Sequence, residues 1–181
     1  MAINLPDAEK RRLASSLQVL PIHDLPARWV EADALHITMK FLGEVSEARL
    51  PEVSDALAEA SGGAAPFDVA VSGLGAFPSL SRPNILWVGV QADAEMTKLQ
   101  AHLERVFVPL GFTADERAFR PHITVARVRK DGRIRDRGAM DRIQAAFDYK
   151  TKFRVRSIDL MRSRLGGRAP RYEVLERMEL H

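Results

Sequence analysis

The tripeptide His36-Ile37-Thr38 stands inside "DALHITMKFLGEV" (33–45), and it returns as His122-Ile123-Thr124 inside "AFRPHITVARVRK" (118–130). The chain has only five histidines, so two in one repeated word call for an explanation. The copies lie 86 residues apart, close to half of the 181-residue chain. Other features recur at the same offset, as a duplication requires. "DAEKRRLASSL" from Asp7 aligns with "DAEMTKLQAHL" from Asp93. Phe67 of "FDVAVSGL" aligns with Phe153 of "FRVRSIDL", and Arg82 of "SRPNILWV" with Arg168 of "GRAPRYEV". No gap is needed.

Each half reads as β-α-β-α-β-β. Asp7 and Asp93 open amphipathic helices, where an acid suits the positive end of the helix dipole. A strand carrying the tripeptide follows. Ser46 is expected to cap a second helix, "SEARLPEVSDALAEA", ended by Gly62-Gly63, and its partner is "DRIQAAF" near 138–148. Two strands complete each half, the second being "NILWVGV" or "RYEVLER". The expected fold is α+β: a bilobal pseudo-two-fold duplication, with antiparallel sheets lining a central cleft and two helices per lobe outside. Residues 1–181 are expected to form one domain, with a lobe-level repeat of approximately 1–90 and 91–181. At that offset the strand at 85–90 has only "AINL" as its counterpart, so the first strand is short or the chain begins inside it.

Composition limits the classes of function. A hydrophobic fraction of 46% and a charged fraction of 28% are those of a soluble globular chain. No apolar run approaches the ~18 residues of a membrane span. The start, "MAINLPDAEKRR", lacks the pattern of a signal peptide, and a cytoplasmic location is the default. The chain contains no cysteine, which excludes disulfides, thiolate metal sites and a cysteine nucleophile. The net charge of +3 conceals an asymmetry. Residues 1–90 hold 7 Lys/Arg and 11 Asp/Glu, against 20 and 13 in residues 91–181. The excess is mainly arginine, whose planar fork suits phosphate, although a solvated salt-bridged surface has the same composition.

Strand alternation then sorts the repeated words. In the first copy Leu35, Ile37, Met39 and Phe41 form an apolar face, and His36, Thr38 and Lys40 share the other. In the second, Ile123 and Val125 point one way, while Arg120, His122 and Thr124 point the other. Each strand therefore packs on a core and shows His and Thr to an opening, and a pseudo-two-fold axis makes the two openings one cleft. Two imidazoles facing one bound group can act as base and acid near neutrality, which suits breaking a phosphodiester. The two hydroxyls can donate to non-bridging phosphoryl oxygens. Two histidines with no acid or third histidine in either motif make a poor zinc set, so no metal or other cofactor is expected.

The chain resembles the two-histidine (2H) phosphoesterase superfamily, whose signature is a pair of His-x-Thr-x motifs, here "HITM" and "HITV". Within it, "INLPDAEK", "RWVEADALHITMKFLGEV", "LGAFPSLSRPNILWVGV", "LGFTADERAFRPHITVARV" and "SRLGGRAPRYEVLE" resemble the bacterial RNA 2′,3′-cyclic phosphodiesterases, also called 2′-5′ RNA ligases, over nearly the full length. The resemblance implies a bilobal fold and metal-independent opening of a terminal 2′,3′-cyclic phosphate to a 2′-phosphomonoester, with a reversible 2′-5′ RNA ligase activity beside it. It implies His36 as the acid that protonates O3′ and His122 as the base that activates water. The motifs themselves are near mirror images and do not assign these roles. The partner implied is RNA with a 2′,3′-cyclic phosphate end, with no membrane and a monomeric chain. Other readings of the same residues are a 2H enzyme acting on small cyclic nucleotides or 2′-5′ oligonucleotides, and a non-catalytic RNA-binding module.

Thr38 and Thr124 are the expected phosphate donors, with three cations beside them. The resemblance places Arg127 in phosphate handling, but strict alternation turns it away from His122, so a bulge is required. Arg120 has the right parity but precedes Pro121, and Lys40 shares the face of His36. Phe41, Trp87 and Tyr172 are candidates to stack on a nucleobase, although residue type places Phe41 and Trp87 in the core. His23, His102 and His181 lack a threonine partner and are read as structural. The Arg-rich segment 127–137 fits an RNA-backbone platform or a solvated loop.

Overall fold

The computed structural model describes residues 1–20, 25–129, 138–164 and 171–181. Its nine strands are β1 (Ala2–Asn4), β2 (Ala27–Trp29), β3 (His36–Thr38), β4 (Phe67–Ser79), β5 (Arg82–Gln91), β6 (His122–Val128), β7 (Lys150–Val155), β8 (Ser157–Arg164) and β9 (Arg171–Glu179). The α-helices are α1 (Asp7–Gln18), α2 (Leu50–Ser61), α3 (Ala94–Phe107) and α4 (Ala139–Ala146). The strands form one antiparallel sheet in the order β7-β4-β5-β6-β3-β1-β8-β9, with β2 also paired to β6. This is the α+β duplication expected. The sheet interleaves the sequence halves, however. β7, β4, β5 and β6 draw two strands from each half, as do β3, β1, β8 and β9.

The helices pack one apolar stripe each into a common core. Leu13 and Leu17 enter from α1, Val53 and Leu57 from α2, Leu99 and Leu103 from α3, and Met140 and Ile143 from α4. Asp93 caps α3, its Oδ1 accepting from the Met96 amide at 2.8 Å. Asp7 is the first residue of α1, where its charge serves the dipole without a side-chain cap. Ser46 departs from expectation. It precedes a single 3₁₀ turn, Glu47–Arg49, and makes no side-chain cap bond, so α2 proper begins at Leu50 with Pro51 in its first turn. Proline is tolerated there because the first helical amides have no intrahelical partner anyway.

The two half-sheets meet at one residue pair, Ile37 opposite Ile123 between β3 and β6. Both are fully buried. These residues differ by the repeat offset, so the pseudo-two-fold axis passes between them. β1 is three residues long, and β3 pairs with it from Asn4–His36 to Ala2–Thr38.

Two of the four register shifts among the described residues reset the alternation near the seam strands. In β4, Gly73 is an extra residue with φ +75°, inserted between the pairs Ser72–Gly89 and Leu74–Val88. A left-handed φ there favours glycine. It lets Val69, Val71, Leu74 and Ala76 all face the core, and it turns Gly75 and Phe77 to the other face. In β6, Val125 is extra, between Thr124–Trp87 and Ala126–Leu86.

Because Ile123 is fully buried at the seam, Ile123→Ala is expected to lower unfolding free energy by about 2–5 kcal/mol. Urea denaturation followed by circular dichroism measures it. A loss well under 1 kcal/mol would show that the seam relaxes around the cavity.

Candidate active site

The register around the Ile37–Ile123 pair builds a four-residue constellation. His36 falls opposite Thr124, and Thr38 opposite His122, all on the face away from the helices. Directly opposite Cβ atoms in such a pair are about 4.5–5.5 Å apart and diagonal ones about 7–8 Å, so the two imidazoles sit on the diagonal with a hydroxyl beside each.

Both rings are held in the same way. His36 Nδ1 lies 2.8 Å from the Ala34 carbonyl, and His122 Nδ1 lies 2.8 Å from the Arg120 carbonyl. A carbonyl only accepts, so Nδ1 carries the proton in each ring, and Nε2 is left as the reactive nitrogen. An aromatic edge completes each setting. Tyr172 meets His36 at 4.8 Å between ring centroids and 65°, and Phe77 meets His122 at 5.1 Å and 81°. Trp87 stands 6.3 Å from His122 and 5.2 Å from Phe77.

A cavity of about 300 Å³ opens on this constellation. His36, Thr38, Thr124 and Arg127 line it from the seam. Met161 and Ser163 on β8, Tyr172 on β9, Ala2 on β1 and the Phe41 ring line its far wall. His122 is not part of the lining; it stands beyond Thr124 against Phe77 and Trp87. Among the described residues neither threonine hydroxyl nor the Arg127 guanidinium has a partner of its own.

The cations separate clearly. The Val125 bulge carries Arg127 onto the face of His122 and Thr124, and its charge reaches His36. Lys40 departs from expectation. β3 ends at Thr38 because the Met39 and Lys40 amides both donate to the Met1 carbonyl, at 2.9 and 3.3 Å. Alternation lapses there, and the Lys40 ammonium turns away to Glu104 at 2.7 Å and the Thr113 carbonyl at 2.9 Å. Its side chain is 2% exposed, so its charge is committed to α3 and not to a phosphate. Arg120 also departs. It lies outside β6, its side chain is exposed and outside the cavity lining, and only its carbonyl serves the site.

Phe41 is 79% exposed, against its expected place in the core. Trp87 is only half-buried, and its Nε1 is buried without a partner among the described residues. Sequence reasoning missed Phe77, Ala2, Met161 and Ser163. The glycines of "SGLGAF" were the available signal for Phe77, since glycine inside a strand often marks a bulge. Among the described residues, no three His, Cys, Asp or Glu side chains converge as a metal site. His102 lies on α3 and His181 at the chain end, both away from the cleft, while His23 falls outside the described residues. So does most of the Arg-rich segment, from 130 to 137.

Burial lowers the His36 pKa from its ordinary 6.5, and the charges of Lys10 and Arg127 push the same way against the Ala34 bond, as does the Met1 amine where it is protonated. The Met1 amine is itself buried, donates to the Lys40 carbonyl at 2.7 Å, and is pushed down to about 5. The cleft thus disfavours positive charge at His36 and favours an anion beside it.

The model for the 2′-5′ RNA ligase superfamily matches residues 6–167. The chain belongs to that superfamily. Members similar to it include an RNA 2′,3′-cyclic phosphodiesterase of Methanothermobacter thermautotrophicus, 30% identical over 97% of this chain and 95% of that one. One of Aquifex aeolicus is 33% identical over 84% and 81%. One of Geobacillus stearothermophilus is 35% identical over 83% of this chain, which spans about half of that longer protein, 47%. Among solved structures, a Thermus thermophilus protein superposes with a TM-score of 0.81 at 25% identity, covering 99% of this chain and 95% of that one. Escherichia coli LigT complexed with 3′-AMP superposes at 0.71 and 25% identity, with the same coverage. The two His-x-Thr words of the sequence supply the four residues that the seam brings together.

In a histidine-resolved NMR titration, His36 is expected to titrate below 6.5 in the free protein and to move up when inorganic phosphate is added. A midpoint unmoved by phosphate would remove the anion from its neighbourhood. The two cations should also separate. Arg127→Ala is expected to weaken inhibition by inorganic phosphate. Lys40→Ala should leave that inhibition intact and cost about 1–3 kcal/mol of stability by removing the bonds to Glu104 and the Thr113 carbonyl, while Glu104 keeps Gln100 and the Asp115 amide.

Proposed function

We propose that this chain is an RNA 2′,3′-cyclic phosphodiesterase that opens a terminal cyclic phosphate to a 2′-phosphomonoester by acid–base catalysis between His36 and His122, without a metal. The observation that carries the reading is the pair of imidazoles with Nδ1 locked on carbonyls two residues back, beside two unpaired hydroxyls and an unpaired guanidinium. The relatives named above act, by their names, on the same class of RNA end.

The asymmetry of the cavity supports the assignment of roles. In an in-line displacement the attacking water and the leaving oxygen lie on opposite sides of phosphorus. The cavity adjoins His36, so the ribose and its leaving oxygen lie on that side. Nε2 of His122 takes a proton from water as the oxygen bonds to phosphorus. The P–O3′ bond breaks, and O3′ takes the proton on Nε2 of His36, leaving the 2′-phosphomonoester. His36 must enter this step protonated although burial lowers its pKa, and the negative charge of the bound phosphodiester offsets that burial. Thr38, Thr124 and Arg127 hold the non-bridging oxygens, where charge grows. With the 5′-hydroxyl of a second strand attacking in place of water, the same two proton transfers in the same direction join a 2′-5′ linkage, and their reversal cleaves it.

A cavity of about 300 Å³ is at the small end for ligand sites. It suits one terminal nucleotide, with the RNA strand outside. Among the described residues no helix is long and apolar enough to cross a membrane. A cytoplasmic monomer fits this reading, because one chain supplies both histidines.

The test is incubation with RNA ending in a 2′,3′-cyclic phosphate and identification of the monoester formed. The 2′-monoester is expected, and EDTA should not inhibit. His36→Ala and His122→Ala should each lower kcat by about 100- to 10,000-fold with the fold retained. Near-wild-type turnover in either variant would end the dyad mechanism. Metal-restored loss on chelation would establish a metal reaction, and RNA binding without turnover would leave a binding module.

A further inference from the structure

The two halves of the cleft repeat the same histidine and threonine but not the same space. Across β5 and β6, Trp87 is the residue paired with Thr124; across β1 and β3, Ala2 is paired with Thr38. Thr38 and Thr124 differ by the repeat offset, so Trp87 and Ala2 occupy the same position of the two half-sheets. Ala2 lines the open cavity. On the other side the indole lies across Gly75, its cross-strand partner, so closely that a Cβ on Gly75 would stand 2.3 Å from the ring. Phe77 closes over it at 5.2 Å.

A symmetric pair of histidines and threonines can receive a phosphate diester with its nucleoside on either side. Turning the substrate about the axis exchanges acid and base and leaves the histidine and threonine contacts unchanged, although Arg127 has Phe41 at its equivalent position. The half-sheets must therefore break the tie. We propose that Trp87, seated in the room left by Gly75, fills the nucleoside site of one half-sheet, so that Ala2 leaves the equivalent space beside His36 as the only place for the terminal nucleoside. Trp87 is then a specificity-determining residue: it fixes substrate direction, and through it which histidine protonates the leaving oxygen. The inference rests on the phosphodiesterase reading above for its substrate class.

The test uses 2′-AMP and inorganic phosphate as probes of the full chain, read by backbone amide NMR. In the wild type, 2′-AMP is expected to shift Met161, Ser163 and Tyr172 and to leave Gly75 and Phe77 in place. In Trp87→Ala both groups should shift. Ala2→Trp should weaken 2′-AMP binding by at least about tenfold, with inorganic phosphate binding retained. Ser163→Trp, which fills the same cavity from β8, serves if Ala2→Trp fails to fold. Adding Trp87→Ala to the blocked variant should restore nucleotide binding, now seen at Gly75 and Phe77. Shifts still confined to β8 and β9 in Trp87→Ala would overturn the proposal, as would blocking variants that bind 2′-AMP like the wild type. A wild type that binds no 2′-AMP overturns it as well. A wild type that binds 2′-AMP beside β8 and β9 but turns over no cyclic phosphate would sink the phosphodiesterase reading alone.

Discussion

One antiparallel residue pair, Ile37 with Ile123, joins the two half-sheets, and the placement of every reactive group follows from it. Two fully buried isoleucines fix the register there. A slip by one residue would send His36 and Thr38 into the core and bring the isoleucine out. The spacing of the histidines is therefore set by sheet geometry and a dry contact beneath it, with no loop in between. A site on rigid strands keeps its geometry better than one on loops. The Nδ1–carbonyl bonds extend the same control to the rings, since each carbonyl belongs to the segment that leads into its own strand.

Around that seam the electrostatics favour one kind of guest. His36 is surrounded by the Met1 amine, Lys10 and Arg127, and it is desolvated. Lys10 is held by the Asn4 side chain and the Asp33 carbonyl, at 3.2 and 3.0 Å. Asn4 also donates to the buried carboxylate of Asp159 at 2.7 Å, which Arg177 grips through two nitrogens. This network ties β1, α1, β8 and β9 together beside the cleft. Every buried charge in it has partners, as burial demands. Arg127, like Arg28 at the same cavity, is left without one among the described residues.

Much of this was legible in the sequence because duplication doubles weak signals. The offset of the two tripeptides located the seam strands, the helix starts at Asp7 and Asp93, and the four residues at the centre of the site. Periodicity failed where the strand did. Lys40 was placed by counting in twos along a strand that stops at Thr38, and the Met1 carbonyl that stops it is 39 residues away in sequence. Arg127 shows the opposite case, since the required bulge is present at Val125. Phe41 was misplaced by residue type, which carries no information about a ring held at a cavity mouth. Tyr172 and Phe77 reach the histidines only through the sheet order, which local pattern does not contain. Nor does pattern reveal that β5 takes the inner place beside β6 in one half-sheet while β9 takes the outer edge of the other.

That interleaving governs how the chain can be completed during synthesis. The hairpin of β4 and β5 is finished by residue 91, but β6 covers one of its edges and β7 the other. Both come from the second half of the chain. Until residue 128 has left the ribosome, a long apolar hairpin stands with two open edges, and its β4 edge stays open until residue 155, the arrangement most prone to pair with another chain. The glycine bulge at 73 and the proline at 83 interrupt those edges. With the register shift at Phe77 and Pro78, they hinder the growing hairpin from unwanted pairing before its own second half arrives.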